Sequence, residues 1–261
     1  RWLLAGAQLA VYDGVGLSGA LAGCSHASLV PTQLWRLLND DGVPERLRAV
    51  LLGGATIPVE LTHAAQQRGS SCFCGYGMTE LASTVCGKAA DGLPDVGAPL
   101  AGREVRVVDN EVWIRAASMA SGYWLDGALR PVTNAEGWFA TRDRGYIADG
   151  RLTVQGRLDN LFFSAGEGIQ PEEVERVIAR LPGISQVFVV PVKDVEFGQR
   201  PVAVVEYADE VIPERLASWV KEQLARFQQP VHWLTLPETL KTGGIKISRR
   251  QLQEWVASVL A

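Results

Sequence analysis

The sequence predicts an α/β fold with a β subregion, followed by a small mobile α+β domain, and three observations carry that prediction. Up to about residue 157, short apolar runs alternate with helical patterns, the layering of α/β proteins. Between 104 and 154 the pattern changes to brief period-two runs split by Gly, Asn and Asp turns, the mark of antiparallel pairing. At Gly156-Arg157-Leu158-Asp159 a flexible, charged break intervenes, and a fresh helix and strand pattern begins after it.

In order along the chain, residues 50–52 form a short buried strand ending in Gly53-Gly54-Ala55, residues 58–68 a helix, and residues 71–74 a second strand. The runs 105–108, 112–115 and 152–154 supply the β subregion. After the break, 161–163 is apolar and Gly166-Glu167-Gly168 reverses the chain. Pro171 opens a helix at its favoured first position. Glu172 and Glu173 complement that helix's dipole, and Val174, Val177, Ile178 and Leu181 make one apolar face over 171–181. Strands at 187–192, 202–207 and 231–235 and a helix at 214–227 complete a domain of ordinary size. Ser248, with Gln251 at capping-box spacing, opens a last helix carrying Leu252, Trp255, Val256 and Val259 on one side. The expected domains are thus 1–157 and 158–261.

Composition narrows the function. With 261 residues and 47% hydrophobic content, the chain can bury a proper core. Lys and Arg number 25 against 29 Asp and Glu, a net charge of −4, so no basic field exists to attract nucleic acid or anionic lipid. No apolar run approaches the roughly 20 residues that span a bilayer, and membrane insertion is not expected. Small molecules are the expected partners, the cytosol the expected compartment, and homo-oligomers stay open. The four cysteines and three histidines have no metal-ligand spacing, and Cys72 and Cys74 are too close for an ordinary strand disulfide, so reduced buried thiols are expected.

Several short motifs carry candidate chemistry. Tyr76-Gly77-Met78-Thr79-Glu80 follows a strand, where open α/β sheets bind ligands. Thr79 can meet a phosphate oxygen, Glu80 can hold Mg²⁺, and Tyr76 can cover an adenine ring. Taken alone, the pentapeptide reads better as a plain helix start, with Thr79 as cap and Glu80 in the first turn. Gly53-Gly54-Ala55 would let a flat ring approach the backbone, or is a bare turn. Asp143, in Thr141-Arg142-Asp143 ahead of a strand, can accept both hydroxyls of a ribose, or is a turn aspartate. Arg157 and Asp159 also read as a surface ion pair, and Lys246 as an exposed turn lysine. Gly14-Val15-Gly16-Leu17-Ser18-Gly19 matches the dinucleotide pattern, but no amphipathic helix and second strand follow it in the required order.

Taken together and in order, the glycine turn, Tyr-Gly-x-Thr-Glu, the aspartate, the joint and Gly244-Ile245-Lys246 resemble the adenylate-forming superfamily of acyl-CoA synthetases, luciferases and peptide-synthetase adenylation domains. The resemblance implies that residues 1–157 are the C-terminal part of the large adenylate-forming domain. It further implies nucleotide contacts from Gly53, Gly54, Ala55, Tyr76, Gly77, Thr79, Asp143 and Arg157, with Glu80 at Mg²⁺, Asp159 as the hinge, and Thr79, Glu80 and Lys246 as catalytic residues. Two departures stand out: Arg142 replaces the usual glycine of Thr-Gly-Asp, and Ile245 replaces the usual glycine before the lysine.

Four longer strings are similar to the acid-CoA ligases of bacterial menaquinone biosynthesis, whose substrates are ATP, CoA and 2-succinylbenzoate: those beginning at His26, Cys72, Ala82 and Ala225. In that reading Ser83 and Thr84 line the acyl pocket; a helix-surface role is the alternative. A ligase for another aromatic or fatty acid, or a non-catalytic AMP-binding module, shares the same motifs. The superfamily's phosphate loop is absent from the sequence, and residues 2–11 read as the middle of a fold, so a C-terminal portion of a longer enzyme is expected.

Overall fold

The computed structural model describes residues 5–8, 16–54, 57–208, 213–241 and 247–260. The chain divides into two compact units, Arg1–Phe73 and Cys74–Ala261. In the first, α1 (Leu17–Leu21), β1 (His26–Leu29), α2 (Pro31–Arg36), β2 (Ala49–Leu52) and α3 (Val59–Gln67) follow in order. β1 and β2 pair in parallel, Leu29 opposite Leu52, and bury both leucines with Val50. β3 (Ser71–Met78) starts here, its Ser71 amide donating to the Arg48 carbonyl at 2.7 Å. It runs four residues beyond the expected end, so Tyr76, Gly77 and Met78 are strand.

The second unit continues through β4 (Ser83–Ala89) and β5 (Ala98–Pro99) into β6 (Arg103–Val108), β7 (Glu111–Ala116), the hairpin β8 (Tyr123–Leu125) and β9 (Ala128–Arg130), β10 (Phe139–Ala148) and β11 (Arg151–Arg157). The order β11-β10-β7-β6 makes an antiparallel sheet, as the β subregion required. Val112, Ile114 and Leu152 from this sheet bury against Leu81, Val85 and Cys86. β10 was not expected. Thr141-Arg142-Asp143 lies inside it rather than ahead of a strand, because its ladder is broken by irregularities between Ala140 and Gly145 that blur the period-two pattern.

Beyond β11, β12 (Phe162–Ser164) and β13 (Glu167–Ile169) form a hairpin in which Ser164 faces Glu167. The reversal is therefore Ala165-Gly166, both at positive φ (50° and 85°), instead of 166–168. α4 (Pro171–Ile178) has Pro171 at its start as expected, but stops short of Leu181 because Pro182 disfavours helical backbone before it. β14 (Ile184–Asp194), β15 (Gly198–Tyr207), α5 (Pro213–Gln223), β16 (His232–Thr235), α6 (Glu238–Lys241) and α7 (Arg249–Val259) complete the chain. β14 and β15 are antiparallel, and β15 and β16 parallel.

Alternation along β15 builds two cores. Ala203 and Val205 join Val174 and Ile178 of α4 and Leu216 and Val220 of α5, whereas Val202 and Val204 join Leu252 and Val256 of α7. α7 is capped as its sequence demanded, the Ser248 hydroxyl accepting from the Gln251 amide. Its first residue, Arg249, reaches back to the other side. One guanidinium nitrogen donates to the Val189 carbonyl at 2.6 Å and the other to Glu175 Oε2 at 3.0 Å, while Glu175 Oε1 accepts from the Val189 amide at 2.7 Å. Burial pushes the Glu175 carboxyl up, against the pull of Arg249.

Replacing Arg249 by Met is expected to strand that carboxylate and cost about 3 kcal/mol, read as a fall in the denaturant midpoint. Equal stability of the two proteins would show that the pair is not what fastens α7.

Candidate active site

Four of the sequence-predicted residues of the second unit, Tyr76, Asp143, Arg157 and Asp159, fall into one connected chain of polar contacts. Tyr76, near the end of β3, donates from Oη to Asp143 Oδ2 at 2.6 Å. Asp143 Oδ1 accepts from Arg157 Nη1 at 3.2 Å, and the same nitrogen reaches the Thr141 carbonyl at 3.1 Å. Arg157 Nη2 then donates to Asp159 Oδ2 at 3.0 Å. The irregularity in β10 makes this possible: Thr141 turns its hydroxyl onto the Val112 carbonyl (2.7 Å) and accepts the Asp143 amide (3.0 Å), which fixes the direction of the aspartate.

Asp143 is 8% exposed. Burial pushes its carboxyl up, against the opposing pull of the Tyr76 hydroxyl and the Arg157 guanidinium. Burial, then the neighbouring carboxylate, also raises the Tyr76 phenol, which therefore stays a donor. Each carboxylate oxygen has a second lone pair, so a diol can join without displacing either partner.

Gly77 is needed where it stands. A methyl group on it would sit 2.1 Å from the Ser83 carbonyl oxygen, because Ala82 (φ 54°) and Ser83 (φ 116°) fold the chain back over β3. Thr79 and Glu80 occupy the 3₁₀ turn at Thr79–Leu81 directly after β3; the turn's cap is Met78, so the reading of Thr79 as a helix cap fails. Thr79 is exposed. Glu80 is half-buried and held by the Tyr123 hydroxyl of β8 at 2.5 Å, and its backbone carbonyl accepts from Ala120. A carboxylate oriented in this way has the oxygen-donor chemistry that Mg²⁺ requires. Ser83 and Thr84 open β4 rather than a helix surface, with their hydroxyl oxygens 3.2 Å apart and Thr84 buried.

In the first unit, Gly53 follows β2 and its amide donates to the Leu29 carbonyl, while Gly54 turns the chain at φ 80°. Ala55 and Lys246 lie outside the described residues. Gly14 of the dinucleotide-like pattern does too.

Two contributors escaped the sequence reading. Tyr123 lies 43 residues from its partner Glu80 with no spacing to announce it. Arg142 was visible as a departure, but its consequence was not. It adopts φ 63°, a left-handed conformation costing roughly 1 kcal/mol for a residue with a side chain, and its Nε and Nη2 both donate to Asp159 Oδ1, at 3.0 and 2.8 Å.

Comparison with known proteins settles the family. The profile of the AMP-binding enzyme family matches residues 1–124, and that of the AMP-binding enzyme C-terminal domain matches residues 173–246. The chain belongs to the AMP-binding enzyme family. Among its relatives in that family, the 2-succinylbenzoate-CoA ligase of Salmonella typhimurium is 68% identical over 98% of this chain, and that of Escherichia coli 67% over 98%. The chain spans about half the length of the curated relatives it matches, 56% in both cases. Among solved structures, an arginine-to-lysine variant of E. coli MenE with bound OSB-AMS superimposes with a TM-score of 0.93 at 65% identity, over 99% of this chain and 56% of that one. The Bacillus subtilis o-succinylbenzoate CoA synthetase with the acyl-adenylate OSB-AMP gives 0.80 at 26% identity, over 97% and 56%. Among the described residues no helix is long and apolar enough to cross a membrane, and no cluster of three metal-binding side chains occurs.

Changing Gly77 to Ala is expected to force β4 off β3 and cost about 2 kcal/mol, measured by chemical unfolding. A Tyr76 to Phe change should cost about 1 kcal/mol in the same assay by leaving the buried Asp143 short of a donor.

Proposed function

We propose that the chain is the C-terminal part of an ATP-dependent acid-CoA ligase that converts 2-succinylbenzoate to 2-succinylbenzoyl-CoA through an acyl-adenylate, in cytoplasmic menaquinone biosynthesis. What carries this reading is the 68% identity to a 2-succinylbenzoate-CoA ligase across almost the whole chain, and the Tyr76, Asp143 and Arg157 chain supports it as a cradle for the ribose of a nucleotide.

In the proposed mechanism Asp143 accepts the ribose hydroxyls while Arg157 approaches the same sugar. Adenine contacts are assigned, as in the superfamily pattern, to Gly53, Gly54 and Ala55 and, separately, to Tyr76, with Gly77 among the nucleotide-binding residues. Thr79 meets phosphate oxygen, and Mg²⁺ held at Glu80 would neutralise phosphate charge. Lys246 brings its ammonium to the negative charge that builds between the substrate carboxylate and the α-phosphorus as pyrophosphate leaves. Ser83 and Thr84 face the acyl group. The domain 158–261 then turns about Asp159, and the CoA thiol attacks the acyl carbon, expelling AMP in place of a poor oxide leaving group. The boundary at 157/158 is supported by the match of a separate C-terminal family profile to residues 173–246.

Pyrophosphate release with ATP, Mg²⁺ and 2-succinylbenzoate, compared between these 261 residues and the same chain extended upstream, tests the proposal. Turnover is expected in the extended protein; its silence there, with turnover on another acid, would overturn the substrate. Lys246→Ala in the extended protein should slow adenylation by at least 100-fold, the scale of a lost charge-stabilising group. It should largely spare thioester formation from supplied acyl-adenylate, and equal losses in both steps would remove Lys246 from that role.

A further inference from the structure

We propose that Arg142 is a positioning residue that latches the joint. Its guanidinium holds Asp159 in the arrangement of this structure and biases the exchange between the arrangements used for adenylation and for thioester formation. The inference rests on the two-step reading above and adds a device to it.

Three observations converge on Arg142. Its backbone is left-handed at φ 63°, a conformation that glycine, the residue at this point of the superfamily pattern, adopts freely and arginine does not. Its amide is fixed by Glu111 Oε1 at 2.9 Å, so the strain is held by the sheet instead of being relaxed. Its side chain spends two donors on a single oxygen of Asp159, at 3.0 and 2.8 Å.

The position of each partner decides what this pair does. Asp159 is gripped on both oxygens, Oδ2 by Arg157 and Oδ1 by Arg142. Arg157 is only two residues away, at the end of β11, where it pairs with Asp143 and is bonded to Asp143 and the Thr141 carbonyl. Arg142 is 17 residues distant, seated in β10. A turn about Asp159 swings its carboxylate relative to the β10/β11 sheet that seats both arginines, so the forked Arg142 contact, made across 17 residues, is strained by the turn. The strength suits a contact strained in every cycle: both side chains are about half exposed (58% and 47%), and exposed pairs bias an equilibrium by roughly two- to fivefold without trapping it.

The complete enzyme would be tested as Arg142→Gly and Arg142→Lys. Pyrophosphate exchange reads adenylation, and CoA-thioester formation from supplied acyl-adenylate reads the second step. Nitroxide labels on Asp149→Cys and Glu196→Cys, in a background with Cys24→Ser, read the joint directly through their distance distribution. Arg142→Gly should change the ratio of the two half-reaction rates by about two- to fivefold and depopulate the label distance of this structure. Arg142→Lys, which keeps charge without the fork, should fall between. High salt should move the unaltered enzyme in the same sense as the glycine variant and leave that variant unmoved. An unchanged ratio with an unmoved distance distribution would overturn the latch. If the unaltered enzyme performs neither half-reaction, the ligase reading fails and the label distances alone decide: a shift on Arg142→Gly upholds the latch, and none removes it.

Discussion

Asp143 is the constraint around which the second unit is arranged. A carboxylate with 8% of its surface exposed is stable as an anion only if its oxygens are occupied, and here a phenol takes one and a guanidinium the other. Meeting that demand fixes much else. Tyr76 must stand inside β3 rather than in a loop, β10 must deform so that Thr141 can orient the aspartate, and Arg157 must close β11 at the place where the chain leaves the sheet. The same guanidinium then carries the network on to Asp159. A buried charge thus connects the end of one strand to the start of the small domain.

The small domain solves a separate problem. Its three-stranded sheet buries both faces, which requires helices on each side and a means of keeping α7 in register with the rest. Hydrophobic contact supplies the area, and the Glu175 and Arg249 pair supplies the direction, since a guanidinium bound to both a backbone carbonyl and a carboxylate tolerates little rotation.

Elements with a clean period were legible in the sequence: the helix opened by Pro171, the helix capped by Ser248, and the runs that became β6, β7 and β11. What escaped was set by tertiary context. β10 was hidden because its deformation breaks the alternation on which strand reading depends. The hairpin turn was placed one step late because Gly166-Glu167-Gly168 offered two glycines, while the sharp reversal uses Ala165 at an unfavourable φ. The site was legible as motifs, since Tyr76, Asp143, Arg157 and Asp159 do join, but their hydrogen bonds were not. Nothing in the sequence foretold that Tyr123 would hold Glu80, because a contact across 43 residues leaves no periodic trace.

The two-sided burial of β15 has a thermal consequence. Because both cores of the small domain are filled from residues after Asp159, reorienting that domain would uncover little apolar surface. Heat-capacity change follows apolar area, so a turn at this joint would carry almost none. Its equilibrium would have a nearly constant enthalpy, so the logarithm of the ratio of arrangements would run straight against reciprocal temperature, without the curvature that governs unfolding.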